Sequence, residues 1–266
     1  MIKPFNPANH FRPLLSHLLL TGLLVIPALS QAADTLYKTP LNDTGVTACF
    51  TSSRYLGYRC PASGLPGQDA EFGRDKTHND KTDGRAGFSF TKINRNGQAV
   101  AAKARNWNCV KDNVTGLMWE IKTHDRGLHD RRWTYSWYQP DDQINGGGAG
   151  VENGGKCYRN QGCDTYHYVA EVNQQGWCGY QDWRLPTVEE LTNVTDFGNR
   201  LSSLFAPDAK YFPDVKIVDT YFWPSFWSSS PTGGDYAWVF DVDSFDFIRG
   251  ELKGEGAYVR LVRGGH

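Results

Sequence analysis

The sequence predicts an exported α+β domain in which two helices precede an antiparallel β-meander and disulfides hold the fold together. Three observations support this: an N-terminal segment typical of export, six cysteines in the rest of the chain, and two helix signals followed by short strand-like segments. Without residues 1–32, the 266-residue chain could bury one sizeable core or two smaller ones, and the sequence suggests one core behind a loop-rich front.

Residues 1–32 have the features of a secretory signal peptide. Lys3 and Arg12 precede the apolar run 14–30, and small residues precede a cleavage site after Ala32. Polar residues interrupt the run, which is shorter than the ~20 apolar residues that span a bilayer, so a retained membrane anchor is the less favoured alternative. We expect a mature chain without a transmembrane segment, in the periplasm, outside the cell or at its surface.

The charge of the chain argues against a nucleic-acid or anionic-membrane partner. Loss of Lys3 and Arg12 with the signal peptide changes the formal net charge from −1 to −3, which is close to neutral for this length. We therefore expect a neutral or modestly charged partner.

All six cysteines lie after the cleavage site, and an even number in an oxidising compartment favours disulfides. Zinc binding is the weaker alternative, because the chain contains no C-x-x-C pair. Six cysteines can pair in many ways, and the sequence does not decide among them. We favour Cys49–Cys60, Cys157–Cys163 and Cys109–Cys178, of which the first two close short loops.

The organisation of the mature chain follows from its composition. Residues 33–105 are rich in Gly, Asp, Lys and Asn with almost no apolar periodicity, so we expect a loop-rich N-terminal region. Residues 106–266 contain the helix and strand signals, with a glycine-rich insert at 139–162.

The first elements of that domain are a strand and a helix. In 117–122 apolar residues alternate with others, which predicts a half-buried strand. Residues 164–176 predict a helix that Asp164 or Thr165 caps and that ends near Gly176. The residues at helical spacing in it are Tyr166, Val169, Ala170 and Asn173.

The second helix has the clearer signals. Thr187 and Glu190 have the spacing of a capping box, and Gly198 stands where a C-terminal cap is expected. Its apolar stripe consists of Val188, Leu191 and Val194.

Four strand-like segments follow the helices and predict the meander. Pro224 and Pro231 limit regular pairing in the stretch 221–238, which should be a loop or an edge strand. The segments are 226–230, 236–243, 245–252 and 257–263.

Several short motifs, in a fixed order, resemble the Lcl C-terminal domain family, which is found in exported bacterial proteins including a collagen-like adhesin. They cover about residues 107–264. The motifs are TGLMWE (115–120), CGYQDWRLPTVEEL (178–191), YFP (211–213), FWSSS (226–230), AWVFD (237–241) and YVRLVRGG (258–265).

This resemblance implies a fold similar to C-type-lectin-like domains and to the formylglycine-generating enzyme, with two helices flanking small antiparallel sheets. It implies structural roles for Trp119, Asp182, Trp183, Arg184, Pro186, Arg260 and Arg263. Trp183 would fill the core, and Arg184 would pair with Asp182 or Glu189. The alternative for this cluster is a reactive site. The chain has no collagen-like array, so a trimeric stalk is not implied.

Enzymatic signals are weak. No cysteine follows Cys178, so the cysteine chemistry of the formylglycine-generating enzyme is not implied, and the G-x-S-x-G and H-E-x-x-H motifs are absent. His124 and His129 lie on a charged segment typical of solvated surface. We expect no catalytic residue, no metal site and no cofactor.

Aromatic residues make up 14% of the chain and concentrate near the predicted meander. Most rings should belong to the core, but some of these stand too close together for all to turn inward, and rings beside Asp and Ser suit sugar binding. The E-P-N and W-N-D signatures of calcium-dependent lectins are absent, so glycan binding would be calcium-independent or use another site. The candidate ligand contacts are Tyr221, Trp223, Trp227, Tyr236 and Trp238.

These observations favour an exported, non-enzymatic recognition protein, an adhesin or a surface or envelope binding module for a glycan or a protein. The alternatives are a hydrolase acting on envelope or extracellular polymer and a structural or assembly factor. The sequence does not choose the ligand or the oligomeric state.

Overall fold

The fold is α+β, as the sequence predicts, in a computed structural model that describes residues 40–51, 54–58, 60–61, 65–78, 80–199, 206–215, 224–242 and 247–265. The predicted signal peptide lies outside these residues and stays a prediction. Residues 39–266 belong to one compact unit. Within the described ranges no helix has the length and apolar character needed to cross a membrane.

The described segments contain two longer helices, two single-turn helices and small antiparallel sheets. The helices are α1 (Asp69–Phe72), α2 (Arg74–Thr77), α3 (Thr165–Gln175) and α4 (Val188–Asn193). The strands are β1 (Cys49–Thr51), β2 (Arg54–Tyr58), β3 (Phe90–Ile93), β4 (Cys109–Asp112), β5 (Met118–Glu120), β6 (Ser225–Gly233), β7 (Tyr236–Asp241), β8 (Ile248–Leu252) and β9 (Val262–Arg263).

The largest sheet among the described segments has four strands, ordered β3-β4-β5-β9. Its first strand comes from the region expected to be loop-rich, and Phe90–Ile93 pairs with Cys109–Asp112 along its length. In β5, Trp119 lies between Val110 of β4 and Val262 of β9.

The expectation that β5 is half-buried was wrong, because all three of its residues are buried. Leu117 and Trp119 pack in one core cluster and Met118 packs in the other, so apolar side chains cover both faces of the strand. Glu120 therefore lies in the interior and not in solvent.

Helix α3 begins and ends as predicted, but its buried face differs. Asp164 accepts a hydrogen bond from the backbone N–H of His167 (2.9 Å), and Gly176 follows the last residue. The buried side chains are Thr165, Tyr168 and Val172. Tyr166 is 45% exposed, whereas Tyr168 and Val172 belong to a core cluster with Met118 and Trp227.

The capping box of α4 is confirmed, and its predicted apolar stripe is buried. The helix ends at Asn193, earlier than the sequence indicated. Gly198 does not cap the helix. It allows its backbone to lie close to that of Gly45, since a Cβ at residue 198 would lie 1.7 Å from the carbonyl oxygen of Gly45.

Strands β6, β7 and β8 form the predicted meander, with β6 at one edge. Its register is irregular around Pro231, as expected for proline in an edge strand. The last strand-like segment adds no strand to the meander, although Tyr258 forms a single parallel bridge with Phe226 of β6. Only Val262–Arg263 forms a strand, and it pairs with β5 in the other sheet.

The three favoured disulfides are confirmed: Cys49–Cys60, Cys109–Cys178 and Cys157–Cys163. The glycine-rich insert packs against the domain through Lys253, whose buried Nζ donates to the carbonyl oxygens of Asn145 (2.8 Å), Gly148 (2.5 Å) and Gly234 (2.6 Å). These carbonyls take the place of water around a buried ammonium group.

Candidate functional site

The candidate site is an open polar groove of about 840 Å³ beside the predicted motif CGYQDWRLP. It lies where the end of α3, the turn after it, the turn at 94–98 and β9 meet. The polar and aromatic side chains that line it are Arg95, Asn96, Gln175, Tyr180, Gln181, Asp182 and Arg263.

Two backbone turns in direct contact form one wall of the groove. The turn at 177–180 is closed by hydrogen bonds in both directions between Trp177 and Tyr180 (2.9 and 3.0 Å), and the Cys109–Cys178 disulfide ties it to β4. A Cβ on Gly97, which has φ +80°, would lie 2.7 Å from the carbonyl oxygen of Cys178. Only glycine therefore allows the two turns to meet without displacement.

Arg263 contacts both Tyr180 and Asp182 within the groove. The guanidinium carbon of Arg263 lies 3.6 Å from the centre of the Tyr180 ring. The same guanidinium donates to both carboxylate oxygens of Asp182 (2.6 and 2.9 Å). This bidentate pair is partly exposed, so it adds little to stability, but it orients the carboxylate and the ring relative to each other.

A line of stacked groups leads from the groove to the interior. The exposed Arg95 places its guanidinium 4.7 Å from the ring centre of Trp177, which is buried. Trp177 in turn stacks on His129, with 3.5 Å between the two ring centres. The surface cation is thereby connected through two rings to a buried ionic cluster.

That buried ionic cluster, the Glu120 cluster, consists of Glu120, Lys122, His129 and Tyr168. One carboxylate oxygen of Glu120 accepts from Lys122 Nζ (3.1 Å) and from the Tyr168 hydroxyl, and it lies 2.7 Å from His129 Nδ1. The other oxygen accepts from the backbone N–H of Leu261 (3.0 Å). Both oxygens of the carboxylate thus bond to groups of the protein itself.

Burial and pairing act in opposite directions on the pKa of Glu120. Burial alone would raise it, but the charge of Lys122 and the bonds from His129 and Tyr168 outweigh burial and lower the pKa to about 2. Burial lowers the pKa of Lys122 and raises that of Tyr168 well above its usual range. The cluster therefore holds an ion pair in the core.

The sequence did not predict this cluster. The expectation that His129 lies on solvated surface was wrong, since the side chain is buried against Trp177 and Glu120. The available signal was the pair of opposite charges at 120 and 122, which occupy one face of a strand and can be buried together.

The predicted aromatic contacts separate into three groups. Tyr221 and Trp223 lie outside the described residues. Trp227 is fully buried and its Nε1 donates to the carbonyl oxygen of Tyr135 (2.6 Å), so the expectation of a surface contact was wrong. Tyr236 is 48% exposed, and Trp238 is half-buried.

The resemblance implied structural roles for Trp119, Trp183 and Arg260, among others. Trp119 and Trp183 are buried in the core. Arg260 pairs with Asp214 (2.7 Å), and its guanidinium also donates to the carbonyl oxygen of Glu120 (2.9 Å).

The expected partner of Arg184 was wrong. Its guanidinium donates to both carboxylate oxygens of Glu190 (2.8 and 2.7 Å) and not to Asp182 or Glu189. Because Glu190 also accepts from the backbone N–H of Thr187, the arginine completes the capping box of α4. Pro186 is buried immediately before this cap.

Across the described segments, no group of three or more His, Cys, Asp or Glu side chains is arranged to hold a metal ion.

The Lcl C-terminal domain model matches residues 108–263, which is more than half of the chain. The chain belongs to the Lcl C-terminal domain family. The boundaries agree with the motifs quoted from the sequence. The Lcl C-terminal domain therefore contains the Glu120 cluster and most of the groove, whereas Arg95 and Asn96 come from the preceding region. Neither the curated proteins nor the solved structures include a match to this chain.

Proposed function

We propose that this protein is an exported, non-enzymatic recognition protein, an adhesin or an envelope binding module, that binds a glycan in the groove. The observation that supports this is that the groove brings the Tyr180 ring together with guanidinium, carboxylate and amide groups. The Cys109–Cys178 disulfide holds the turn that carries Tyr180. Sugars bind proteins by packing C–H faces on rings and by hydrogen bonding to planar polar side chains.

Export is consistent with the three disulfides, because such bonds persist in oxidising compartments. The surroundings of the groove also suit binding to a neutral or modestly charged ligand. Two arginines and one carboxylate line it, and the carboxylate is already paired with Arg263.

A binding role is favoured over catalysis by the placement of Glu120. Strongly shifted ionisable groups often mark catalytic centres. Glu120 has such a shift, but it is fully buried and accepts bonds from the protein itself, so a substrate has no access to its carboxylate.

A second surface is favoured by the exposed ring of Tyr236. It lies on β7 together with Trp238, which stands opposite Gly250 of β8 and so has no side chain beside it from that strand. This face is the alternative position for a ligand and supplies the control for the test.

The test is a glycan array with the purified protein, followed by calorimetry of any sugar that binds. Stacking on one ring contributes about 1 kcal/mol, so Tyr180→Ala should weaken binding roughly fivefold to tenfold. Tyr236→Ala is the matched control and should bind as the wild type does.

Three outcomes would contradict the proposal. An array on which no sugar binds the protein would exclude a glycan as its ligand. Loss of binding in Tyr236→Ala but not in Tyr180→Ala would show that the ligand binds at the β7 face of the meander and not in the groove. Chromatographic detection of shortened sugars after incubation would indicate a hydrolase.

A further inference from the structure

Strand β8 is an edge strand with an apolar outer face. The meander is ordered β6-β7-β8, and no strand within the described segments pairs with the other side of β8. Ile248 is 36% and Leu252 is 42% exposed. Unprotected edges of this kind are templates for pairing with another chain.

The hydrogen-bond pattern shows which backbone groups of β8 point away from β7. At the two ends of the pairing, Asp241 N–H donates to Phe247 O and Lys253 N–H donates to Asp235 O (both 2.8 Å). In an antiparallel ladder alternate residues exchange such bonds, so 247, 249, 251 and 253 face β7. The N–H and C=O groups of Ile248 and Gly250 therefore point outward.

The sequence of β8, I-R-G-E-L, is complementary to itself. If two copies of β8 run antiparallel about a two-fold axis at Gly250, Arg249 stands opposite Glu251 and Ile248 stands opposite Leu252. Arg249 already pairs with Glu251 and Asp241 within one chain, so the charges of the second copy extend an existing ion pair, and the apolar pairs of Ile248 with Leu252 supply the new contact. The outward groups of Gly250 are also in the correct phase to exchange both hydrogen bonds with the same residue of the second copy.

We propose that β8 pairs with β8 of a second copy of this chain, so that the two meanders form one continuous six-stranded antiparallel sheet. The charge pattern favours a second copy over an unrelated strand, because the same five residues provide both halves of each complementary pair. A two-fold contact requires this kind of self-complementary surface. The inference does not depend on the proposed glycan site.

Gly250→Cys tests the register of the contact. Residues that exchange both bonds across an antiparallel pair have Cα atoms about 5.5 Å apart, which a disulfide can bridge. The new Cβ has space, since its nearest neighbour is Thr232 Cγ2 at 3.6 Å. We expect a covalent dimer on mild oxidation of the variant purified from cells that produce the full chain.

Lys111→Cys is the matched control. Lys111 is an exposed residue of β4, and all six native cysteines are paired, so each variant carries one new thiol. The control should stay monomeric on a non-reducing gel. Equal cross-linking of both variants, or none of Gly250→Cys, would overturn the proposal.

A charge-swap experiment tests the same contact without a cross-link. In sedimentation, Ile248→Lys/Leu252→Lys and Ile248→Glu/Leu252→Glu should each raise the dimer Kd at least about tenfold relative to wild type. An equimolar mixture should dimerise again, because lysines then face glutamates. Unchanged melting temperatures would show that both variants fold. A wild type that sediments as a monomer, or a mixture that does not dimerise, would overturn the proposal.

Discussion

Arg184 illustrates how one residue can link local and long-range structure. Its guanidinium binds Glu190 within the capping box of α4 and donates to the carbonyl oxygen of Gly264 (2.9 Å) near the C-terminal strand. The side chain is 29% exposed, so solvent weakens these contacts only in part.

We expect Arg184→Ala to lower stability by about 1–2 kcal/mol, because charge-assisted bonds to Glu190 are lost. Binding should fall only in proportion to the folded fraction. Thermal melts and calorimetry with a sugar that binds check this, with exposed Arg105→Ala as the unchanged control. A variant that keeps its melting temperature and loses binding would indicate a functional role for the arginine.

Glu120 differs from Arg184 in that it is a charged residue fully enclosed by the protein. Glu120→Gln leaves Lys122 buried without its counter-charge, and removal of one partner from a buried pair typically costs about 3–5 kcal/mol. The double variant Glu120→Gln/Lys122→Met should be less destabilised than the sum of the single changes. Denaturant titration checks this, with exposed Glu189→Gln as control.

The pH dependence of stability provides a second readout for Glu120. Its pKa in the fold is about 2, below its ordinary value of 4.5. A carboxylate with a lowered pKa stabilises the fold above its ordinary pKa and loses that contribution as the pH falls toward the lowered one. Between pH 4.5 and 2, the wild type should therefore lose more stability than Glu120→Gln. Parallel curves for the two proteins would contradict the assignment.

At the scale of elements, the contact between two turns determines the shape of the groove. Gly97 and Gly116 both have positive φ, +80° and +77°. A Cβ on Gly97 meets the Cys178 carbonyl, whereas a Cβ on Gly116 has nothing within 4 Å. Comparing alanine substitutions at these two glycines therefore separates the cost of backbone strain from the cost of the close approach to Cys178.

Gly97→Ala should therefore destabilise the protein more than Gly116→Ala and weaken ligand binding, since the wall of the groove must shift. Gly116→Ala carries only the cost of alanine at positive φ, about 1 kcal/mol. Calorimetry and melts on both variants check this. Equal effects of the two substitutions would show that the contact between the turns is unimportant.

At the scale of the whole molecule, the Cys109–Cys178 disulfide is the one expected to contribute most to the free energy of unfolding. It joins residues separated by 69 positions, whereas Cys157–Cys163 spans 6. Chain entropy lost from the unfolded state grows with the length of the closed loop, which corresponds to about 4 and about 2 kcal/mol for these two.

We expect Cys109→Ser/Cys178→Ser to lose more stability than Cys157→Ser/Cys163→Ser, as measured by denaturant titration. Thiol titration of the denatured, unreduced wild type should detect no reactive thiol. Six reactive thiols would mean that the bonds do not form in the protein as isolated.

The sequence by itself determined the features that depend on neighbouring residues. The start of α3 at Asp164 and the Thr187–Glu190 capping box follow from bonds within one turn, and the β6–β7 hairpin follows from Gly233 and Gly234 at its turn. The pairing of Cys49 with Cys60 and of Cys157 with Cys163 is likewise local, since each closes a short loop.

Only the tertiary structure decided which side of each element faces inward and where the last strand pairs. The strand β5 has an alternating pattern that suits one solvated face, yet apolar neighbours cover both of its faces and Glu120 finds its counter-charge inside. Helix α3 turns Tyr168 inward because its hydroxyl reaches that carboxylate, and Trp227 is buried because β6 lies over the core. These outcomes depend on contacts between residues far apart in the chain, which periodicity within one segment cannot specify.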